Sequence, residues 1–150
     1  LIEAAKELPD VVFLIYGEGP LEADLKRLAP ANVIFKGFCN DVITQLYNYV
    51  DIVVVPTIIE EALSLTAVDA KSIGLPVIVT NIGGQSEIVR EGIDGIKVSV
   101  KSPFAIVKAI KDITSSYDRY NEMAYKSYES SKMFDLTEFK KIITKTFENY

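Results

Sequence analysis

The feature that most constrains the fold is a series of five short apolar runs rich in β-branched residues. Three of them, "VVFLIY", "DIVVVP" and "LPVIVT", scarcely alternate between apolar and polar positions. A strand has this composition when both faces of its sheet are covered, as in parallel sheets. The predicted strands are Val11–Tyr16, Asn32–Lys36, Ile52–Pro56, Pro76–Thr80 and Gly95–Val98.

Helical segments are predicted between these runs. Pro20 occupies the position of a first-turn proline, and Gly74 follows the last periodic residue of its helix. The alternation of strand and helix predicts a doubly wound, Rossmann-like parallel α/β sheet. The predicted helices are Leu1–Leu8, Pro20–Leu28, Val42–Tyr49, Ser64–Ile73, Gln85–Glu91 and Phe104–Ile113.

The composition excludes several classes of function. The 150 residues carry a net charge of −5, which argues against a nucleic-acid surface. The absence of histidine excludes histidine-dependent nucleophiles, general bases and metal sites within this chain. The single cysteine, Cys39, allows no internal disulfide and is interpreted as an incidental free thiol, which fits a reducing compartment. With no membrane-spanning or signal-peptide pattern, the predicted location is the cytoplasm.

The C-terminal tail, from about Ser116 to Tyr150, contains no strand pattern and is predicted to be helical. Near its end, Asp135 and Glu138 resemble a capping box at the start of a helix. Two interpretations stay open, since this helix could pack on its own domain or bind a partner. Its apolar stripe consists of Leu136, Phe139, Ile142, Ile143 and Phe147.

Ligands of open α/β sheets bind beyond the carboxyl ends of the strands, and two loops there are rich in glycine. The loop "GEGP", from Gly17 to Pro20, could let a ligand approach its backbone or could form a tight turn. It is not a dinucleotide fingerprint, because Glu22 stands where the third glycine belongs. In "NIGGQSEIV", Gly83 and Gly84 precede a predicted helix start, which is either an anion site or a turn.

A third loop joins the strand "DIVVV" to the helix that begins near Ser64. Glu61 lies in this loop and Asp69 just over one turn inside the helix, with unpaired backbone amides between them. From Ser64 to Asp69 the helix rises about 7–8 Å, which is the scale of a diphosphate plus part of a sugar. Either the two acids grip hydroxyl groups at the ends of such a ligand, or they are solvated surface charges. Glu60 is interpreted as an exposed loop acid.

A set of short motifs, in order along nearly the whole chain, resembles the GT-B glycosyltransferases of retaining family 4, the glycosyl transferases group 1. The motifs are "PT" followed by Glu61, "DA" at Asp69, then "GLPV", "GG" and "EIV". Further stretches, "LIYGEGP", "NVIFKGF" and "EGIDGIKV", are similar to the family's turns and strands. Each motif is weak alone, and the set is specific.

The resemblance implies a two-domain enzyme whose C-terminal half, residues 1–150 here, binds a nucleotide-diphosphate sugar. It implies that Glu61, the candidate catalytic residue, contacts the donor sugar and that Asp69 holds the ribose hydroxyls. The base would lie near Gly37 and Phe38. It further implies transfer of a sugar to a glycan, lipid or small-molecule acceptor in polysaccharide biosynthesis, with no cofactor and no obligatory metal. The backbone amides that would meet the diphosphate are those of Ser64, Leu65 and Thr66.

Three departures from the family pattern affect this interpretation. Asp69 is one methylene shorter than the family's glutamate, and Ala62 and Leu63 stand where glycine and phenylalanine are frequent. The family's arginine and lysine, which clamp the diphosphate, and its first strand would precede Leu1. The chain is therefore interpreted as truncated at its N-terminal edge, without the acceptor-binding domain and inactive alone. That missing half is its expected partner and the only part expected to contact a membrane.

Alternative functions stay open. One is a catalytically silent sugar-nucleotide-binding or scaffold domain, and another is a sugar-nucleotide epimerase of the same architecture. A phosphate-receiver domain fits poorly, because no acidic cluster after the first strand pairs with a phosphoacceptor aspartate. Product analysis of the whole protein separates the two enzymes.

Overall fold

The structure is a computed structural model that describes residues 1–135 together with 137, 140, 141, 144 and 145. The five strands are β1 (Phe13–Tyr16), β2 (Val33–Gly37), β3 (Val53–Val55), β4 (Val77–Thr80) and β5 (Gly95–Val98). The α-helices are α1 (Ile2–Lys6), α2 (Glu22–Leu28), α3 (Val42–Tyr49), α4 (Leu65–Ser72), α5 (Pro103–Ile113) and α6 (Tyr117–Ser131). Two 3-10 turns cover Gly84–Glu87 and Lys132–Phe134.

All strand pairs are parallel, and the pairing falls into two sheets of order β1-β2 and β3-β4-β5. Parallel neighbours need crossover connections, which α2, α4 and the segment after β4 supply, while α3 connects the two sheets along the chain. The predicted α/β class is therefore confirmed, and each predicted strand is present with ends that differ by no more than two residues.

The central strand β4 explains the continuous apolar runs. Val77 and Val79 pack in a cluster that includes Leu46 of α3 and Ala67 of α4. Ile78, on the opposite face, packs in a second cluster with residues of α1, β5, α5 and α6. Successive side chains of a strand point to opposite faces, so a strand covered on both sides is apolar at every position.

Two helix predictions were wrong in detail. The segment predicted as a helix from Gln85 to Glu91 forms only the short 3-10 turn Gly84–Glu87, and the chain then turns toward β5. Pro20 lies before the helix it was expected to begin, because α2 starts at Glu22. The glycine prediction is confirmed: Gly74 follows α4 with a φ of 81°, and its amide donates to the Lys71 carbonyl.

The first part of the tail packs on its own domain. The Ser127 hydroxyl of α6 donates to the Leu75 carbonyl at 2.7 Å, and the Tyr120 hydroxyl donates to the Asp51 carbonyl at 3.1 Å. At the predicted capping box, the Asp135 carboxylate accepts the Thr137 amide at 2.7 Å. The rest of that prediction lies outside the described residues: Leu136, Glu138, Phe139, Ile142, Ile143 and Phe147.

Within the described part of the chain, no helix is both long enough and apolar enough to cross a bilayer.

Candidate functional site

The loops that follow the strands are tied together in pairs at the carboxyl edge. After β1 and β2, the Gly17 amide donates to the Gly37 carbonyl at 2.8 Å, and the Phe38 amide donates to the Glu18 carboxylate at 3.4 Å. After β3 and β4, the Gly84 amide donates to the Glu61 carbonyl at 2.8 Å. The predicted site residues therefore fall into two groups, one on each pair of loops.

The N-terminus of α4 is the polar centre of the second group. Ser64 is the N-cap, and its buried hydroxyl accepts the Ala67 amide at 3.4 Å. The next two residues, Leu65 and Thr66, are exposed, and amides at these positions have no acceptor inside a helix. The positive end of the helix dipole therefore faces the outside at the place predicted for a diphosphate.

The predicted acids take different positions around this helix end. Glu61 is half-buried in the loop before α4, and Asp69 is half-buried on the helix itself. We find no hydrogen bond or ion pair of the Asp69 carboxylate among the described residues, so its oxygens are available to a ligand. Glu60 is exposed, as predicted for a loop acid.

The two glycines after β4 hold the Glu61 loop by close backbone approach. Gly83 has a φ of 58°, and a Cβ built there would lie 2.7 Å from the Glu61 carbonyl oxygen. A Cβ on Gly84 would overlap the carbonyl of Ala62. The segment that follows forms a four-residue 3-10 turn, Gly84–Glu87, and the Gly84 amide is used on the Glu61 carbonyl.

Sequence reasoning missed a buried polar group beneath this loop. Gln85 and Thr80 are 0% and 2% exposed. The Gln85 amide donates to the Thr80 carbonyl at 3.0 Å and to the Thr80 hydroxyl at 2.6 Å. The Thr80 hydroxyl in turn donates to the Thr57 carbonyl at 2.7 Å. A glutamine directly after a glycine pair was the available signal, and its burial depends on tertiary contacts that the sequence does not display.

The first group forms a pocket of about 220 Å³ at the ends of β1 and β2. Gly37 ends β2 with a φ of 70°, and Phe38 beside it is 69% exposed. Cys39, interpreted as incidental, is a free thiol that lines the pocket. The lining residues that sequence reasoning missed are Tyr16, Lys36, Asn40, Asp41 and Gln45.

Partial burial at the pocket edge raises the pKa of the Tyr16 phenol, and the neighbouring Cys39 and Tyr49 raise it further. Tyr16 therefore stays protonated at neutral pH. Its hydroxyl lies 3.5 Å from the Gln45 side-chain oxygen across the pocket. The pocket thus presents hydrogen-bond donors and acceptors next to the aromatic rings of Tyr16 and Phe38.

A buried ion pair, also missed, anchors α4 from its other side. Lys71 and Asp94 are both fully buried, with 3.2 Å between the ammonium nitrogen and a carboxylate oxygen. The Lys71 ammonium also donates to the Ile88 carbonyl, and Arg90 contacts the second Asp94 oxygen at 2.7 Å. The pair links the helix that carries Ser64 and Asp69 to the turn before β5.

These features define a parallel α/β domain with a candidate ligand site at the carboxyl ends of its strands. The chain belongs to the glycosyl transferases group 1 family, whose profile matches residues 1–130. Its fold is that of the C-terminal domain of a GT-B glycosyltransferase. The resemblance and the fold class inferred from the sequence are thereby confirmed.

The relatives and solved structures are longer than this chain. A UDP-Gal:alpha-D-GlcNAc-diphosphoundecaprenol alpha-1,3-galactosyltransferase of Escherichia coli is 32% identical over 113 residues, which are 71% of this chain and 29% of that enzyme. Anabaena Alr3699/HepE in complex with UDP matches with a TM-score of 0.87 at 24% identity, over 100% of this chain and 44% of its own. The C-terminal domain of a Francisella tularensis group 1 glycosyl transferase, LpcC, is 27% identical with a TM-score of 0.71, over 88% of this chain and 73% of its own.

Proposed function

We propose that this chain is the donor-binding half of a retaining glycosyltransferase that transfers a sugar from a nucleotide-diphosphate sugar to a glycan, lipid or small-molecule acceptor. The observation that carries the proposal is the N-terminus of α4, where the exposed residues Leu65 and Thr66 lie along the chain between the half-buried acids Glu61 and Asp69. The complexes of HepE with UDP and with UDP-glucose support the proposal by analogy of fold.

The diphosphate is expected at the amides of Ser64, Leu65 and Thr66. Backbone N–H groups and the helix dipole favour an anion there. The two carboxylates would repel a phosphate, so they are expected to contact the hydroxyl groups on either side of the diphosphate. Glu61 would contact the donor sugar and Asp69 the ribose. As the bond to the sugar breaks, negative charge grows on the diphosphate, and the fixed amides stabilise that charge.

The base is expected in the pocket beside Gly37 and Phe38. A volume of about 220 Å³ suits a single planar ring system rather than a whole nucleotide. The exposed Phe38 ring can cover one face of the base, and Asn40 and Gln45 offer amide groups to its polar edge. The pocket and α4 together then account for both ends of the donor.

The remaining parts of the proposal concern the whole protein. An acceptor-binding domain completes the site, the reaction needs no obligatory metal, and the protein works in the cytoplasm in polysaccharide biosynthesis. The lack of histidine fits a mechanism in which the leaving diphosphate accepts the acceptor's proton. Transfer of radiolabel from a sugar nucleotide to an acceptor extract, measured with and without a chelator, tests both the transfer and its independence of metal.

The first prediction concerns the sugar end of the donor. Glu61→Ala should weaken sugar-nucleotide binding about tenfold or more, since hydrogen bonds to a charged group contribute about 1.5–3 kcal/mol. Binding of the bare nucleoside diphosphate should change less than twofold. Calorimetry with both ligands measures this in the whole protein that carries the chain.

The matched control is Glu60→Ala, which removes the neighbouring exposed acid and should leave both dissociation constants unchanged. Equal losses for both ligands in Glu61→Ala would remove Glu61 from the sugar end of the site. If only Glu60→Ala weakened sugar-nucleotide binding, the sugar contact would be assigned to Glu60 instead.

The second prediction concerns the ribose. Asp69→Asn should weaken binding of the preferred nucleoside diphosphate about five- to tenfold, because a charged acceptor of two hydroxyls becomes a neutral amide. The 2′-deoxy analogue should show a smaller loss. An unchanged dissociation constant for the ribonucleotide would exclude Asp69 from the site, and equal losses for both nucleotides would place it away from the 2′-hydroxyl.

A further inference from the structure

A chain of hydrogen bonds, buried at Gln85 and Thr80 and partly buried at Thr57, runs from the turn after β4 to the loop that carries Glu61. It begins at the Gln85 amide, passes through the Thr80 hydroxyl and ends at the Thr57 carbonyl, with donor–acceptor distances of 2.6 and 2.7 Å. The Thr57 side chain continues it toward the site, since its Oγ1 lies 3.4 Å from a carboxylate oxygen of Glu61. The chain of contacts thus joins the core to one candidate ligand-binding side chain.

We call the contacts among Gln85, Thr80 and Thr57 the relay, and the direction of both bonds at its Thr80 hydroxyl is fixed. The Thr57 hydroxyl hydrogen has two acceptors within reach, the Glu61 carboxylate at 3.4 Å and the Ile59 carbonyl at 3.5 Å. The Thr80 hydroxyl hydrogen is used on the Thr57 carbonyl, so the hydroxyl oxygen is left to accept from Gln85. A reversed Gln85 amide would place its oxygen against the Thr80 carbonyl oxygen, which is repulsive. Both Gln85 donors therefore face Thr80.

Burial of Gln85 destabilises the fold. Gln85 is fully buried, and its Oε1 has no hydrogen-bond partner within the described part of the chain. A buried acceptor without a donor costs free energy that an apolar side chain of similar size would not. Exceptions to the rule that buried polar groups are hydrogen-bonded are expected mainly at functional sites. The observation favours a positioning role over simple packing.

We propose that Gln85 and Thr80 are positioning residues that set the orientation of the Glu61 carboxylate through Thr57, and so determine recognition of the donor's sugar. The inference rests on the proposed function of Glu61. Thr80 holds the Thr57 backbone, Thr57 presents its hydroxyl to Glu61, and the close contact of Gly84 with the same loop fixes the distance.

Thr80→Val in the whole protein tests the relay, because valine keeps the shape and removes the hydroxyl. We expect a five- to tenfold loss of affinity for the sugar nucleotide and less than a twofold loss for the bare nucleoside diphosphate. Thr80→Ser should restore the wild-type values. Thr114→Val makes the same chemical change at the end of α5, where the hydroxyl bonds to the Ile110 carbonyl, and should change neither constant.

A double mutant distinguishes action through Glu61 from a general loosening of the fold. In the Glu61→Ala background, Thr80→Val should cause no further ligand-selective loss. An undiminished second loss, or equal losses for both ligands, overturns the inference. Should Thr80→Val not fold, Thr57→Val replaces it at a half-buried position, with the same expected loss and the same overturning outcomes.

Failure of the inference and failure of the proposed function give different results. If Glu61→Ala weakens sugar-nucleotide binding selectively and neither Thr80→Val nor Thr57→Val does, the relay is refuted and the donor site stands. If Glu61→Ala itself shows no selective loss, both the role of Glu61 and the relay are refuted.

Discussion

Asp94→Asn is expected to destabilise the fold by about 3–5 kcal/mol, the usual cost of removing one partner of a buried ion pair. Lys71 and Asp94 are both inaccessible to solvent, so the substitution leaves the Lys71 ammonium buried without a countercharge. The neutral amide would also lack the negative charge that Arg90 contacts at 2.7 Å. Denaturant unfolding of the wild type and the variant measures the difference.

Two further variants separate the ion pair from local packing. Lys71→Met combined with Asp94→Asn should recover most of the lost stability, because replacing a buried pair with apolar or neutral groups is often close to neutral. Asp112→Asn breaks the more exposed pair with Arg119 and should cost less than about 1 kcal/mol. A loss below about 1 kcal/mol for Asp94→Asn, or no recovery in the double variant, would contradict the assigned role.

The same pair makes stability depend on pH. Burial alone would raise the pKa of Asp94, but hydrogen bonds from Arg90 and the charge of Lys71 outweigh it and hold that pKa below its ordinary value of 3.8. The folded protein therefore binds this proton less readily than the unfolded chain. The stabilisation is present above about pH 4 and is lost as the pH falls through the folded value. Asp94→Asn should lack this part of the acid transition.

The α/β class was predictable from the sequence because strand composition reports burial directly. The run "LPVIVT" is apolar at every position but its last, and the structure covers both faces of β4. The ends of α4 were predictable from its capping residues. Ser64 is the N-cap, and Gly74 follows the C-cap with a positive φ. Both signals are local, so a single sequence contains them.

The buried polar groups could not be predicted in this way. Lys71 looks like an ordinary helix-surface residue until Asp94, distant in sequence, comes to lie beside it. Gln85 was assigned to a helix, yet it forms part of a 3-10 turn that aims its amide under the Glu61 loop. Such contacts depend on how the loops pack, which no local pattern specifies. The motif resemblance located Glu61 and Asp69 and carried no information about what holds them.

Gly84→Ala should lower affinity for the sugar nucleotide about tenfold or more, since moving the Glu61 loop forfeits hydrogen bonds to a charged group, which contribute about 1.5–3 kcal/mol. The added methyl group would overlap the Ala62 carbonyl, so the loop must move away from β4 and lose the Gly84 amide contact with the Glu61 carbonyl. Calorimetry in the whole protein, at a temperature where circular dichroism shows the variant folded, measures the affinity.

The thermal stability of Gly84→Ala should also fall, because overpacking costs about 1–3 kcal/mol. Gly19→Ala is the steric control for that measurement, since a Cβ there meets no atom within 4 Å and Gly19 is not among the glycines with positive φ. Unchanged sugar-nucleotide affinity in folded Gly84→Ala would show that the glycine pair does not set the position of Glu61. A loss of sugar-nucleotide affinity would instead mean that backbone contacts from the glycine pair set the position of Glu61. Side-chain hydrogen bonds then set the orientation of its carboxylate.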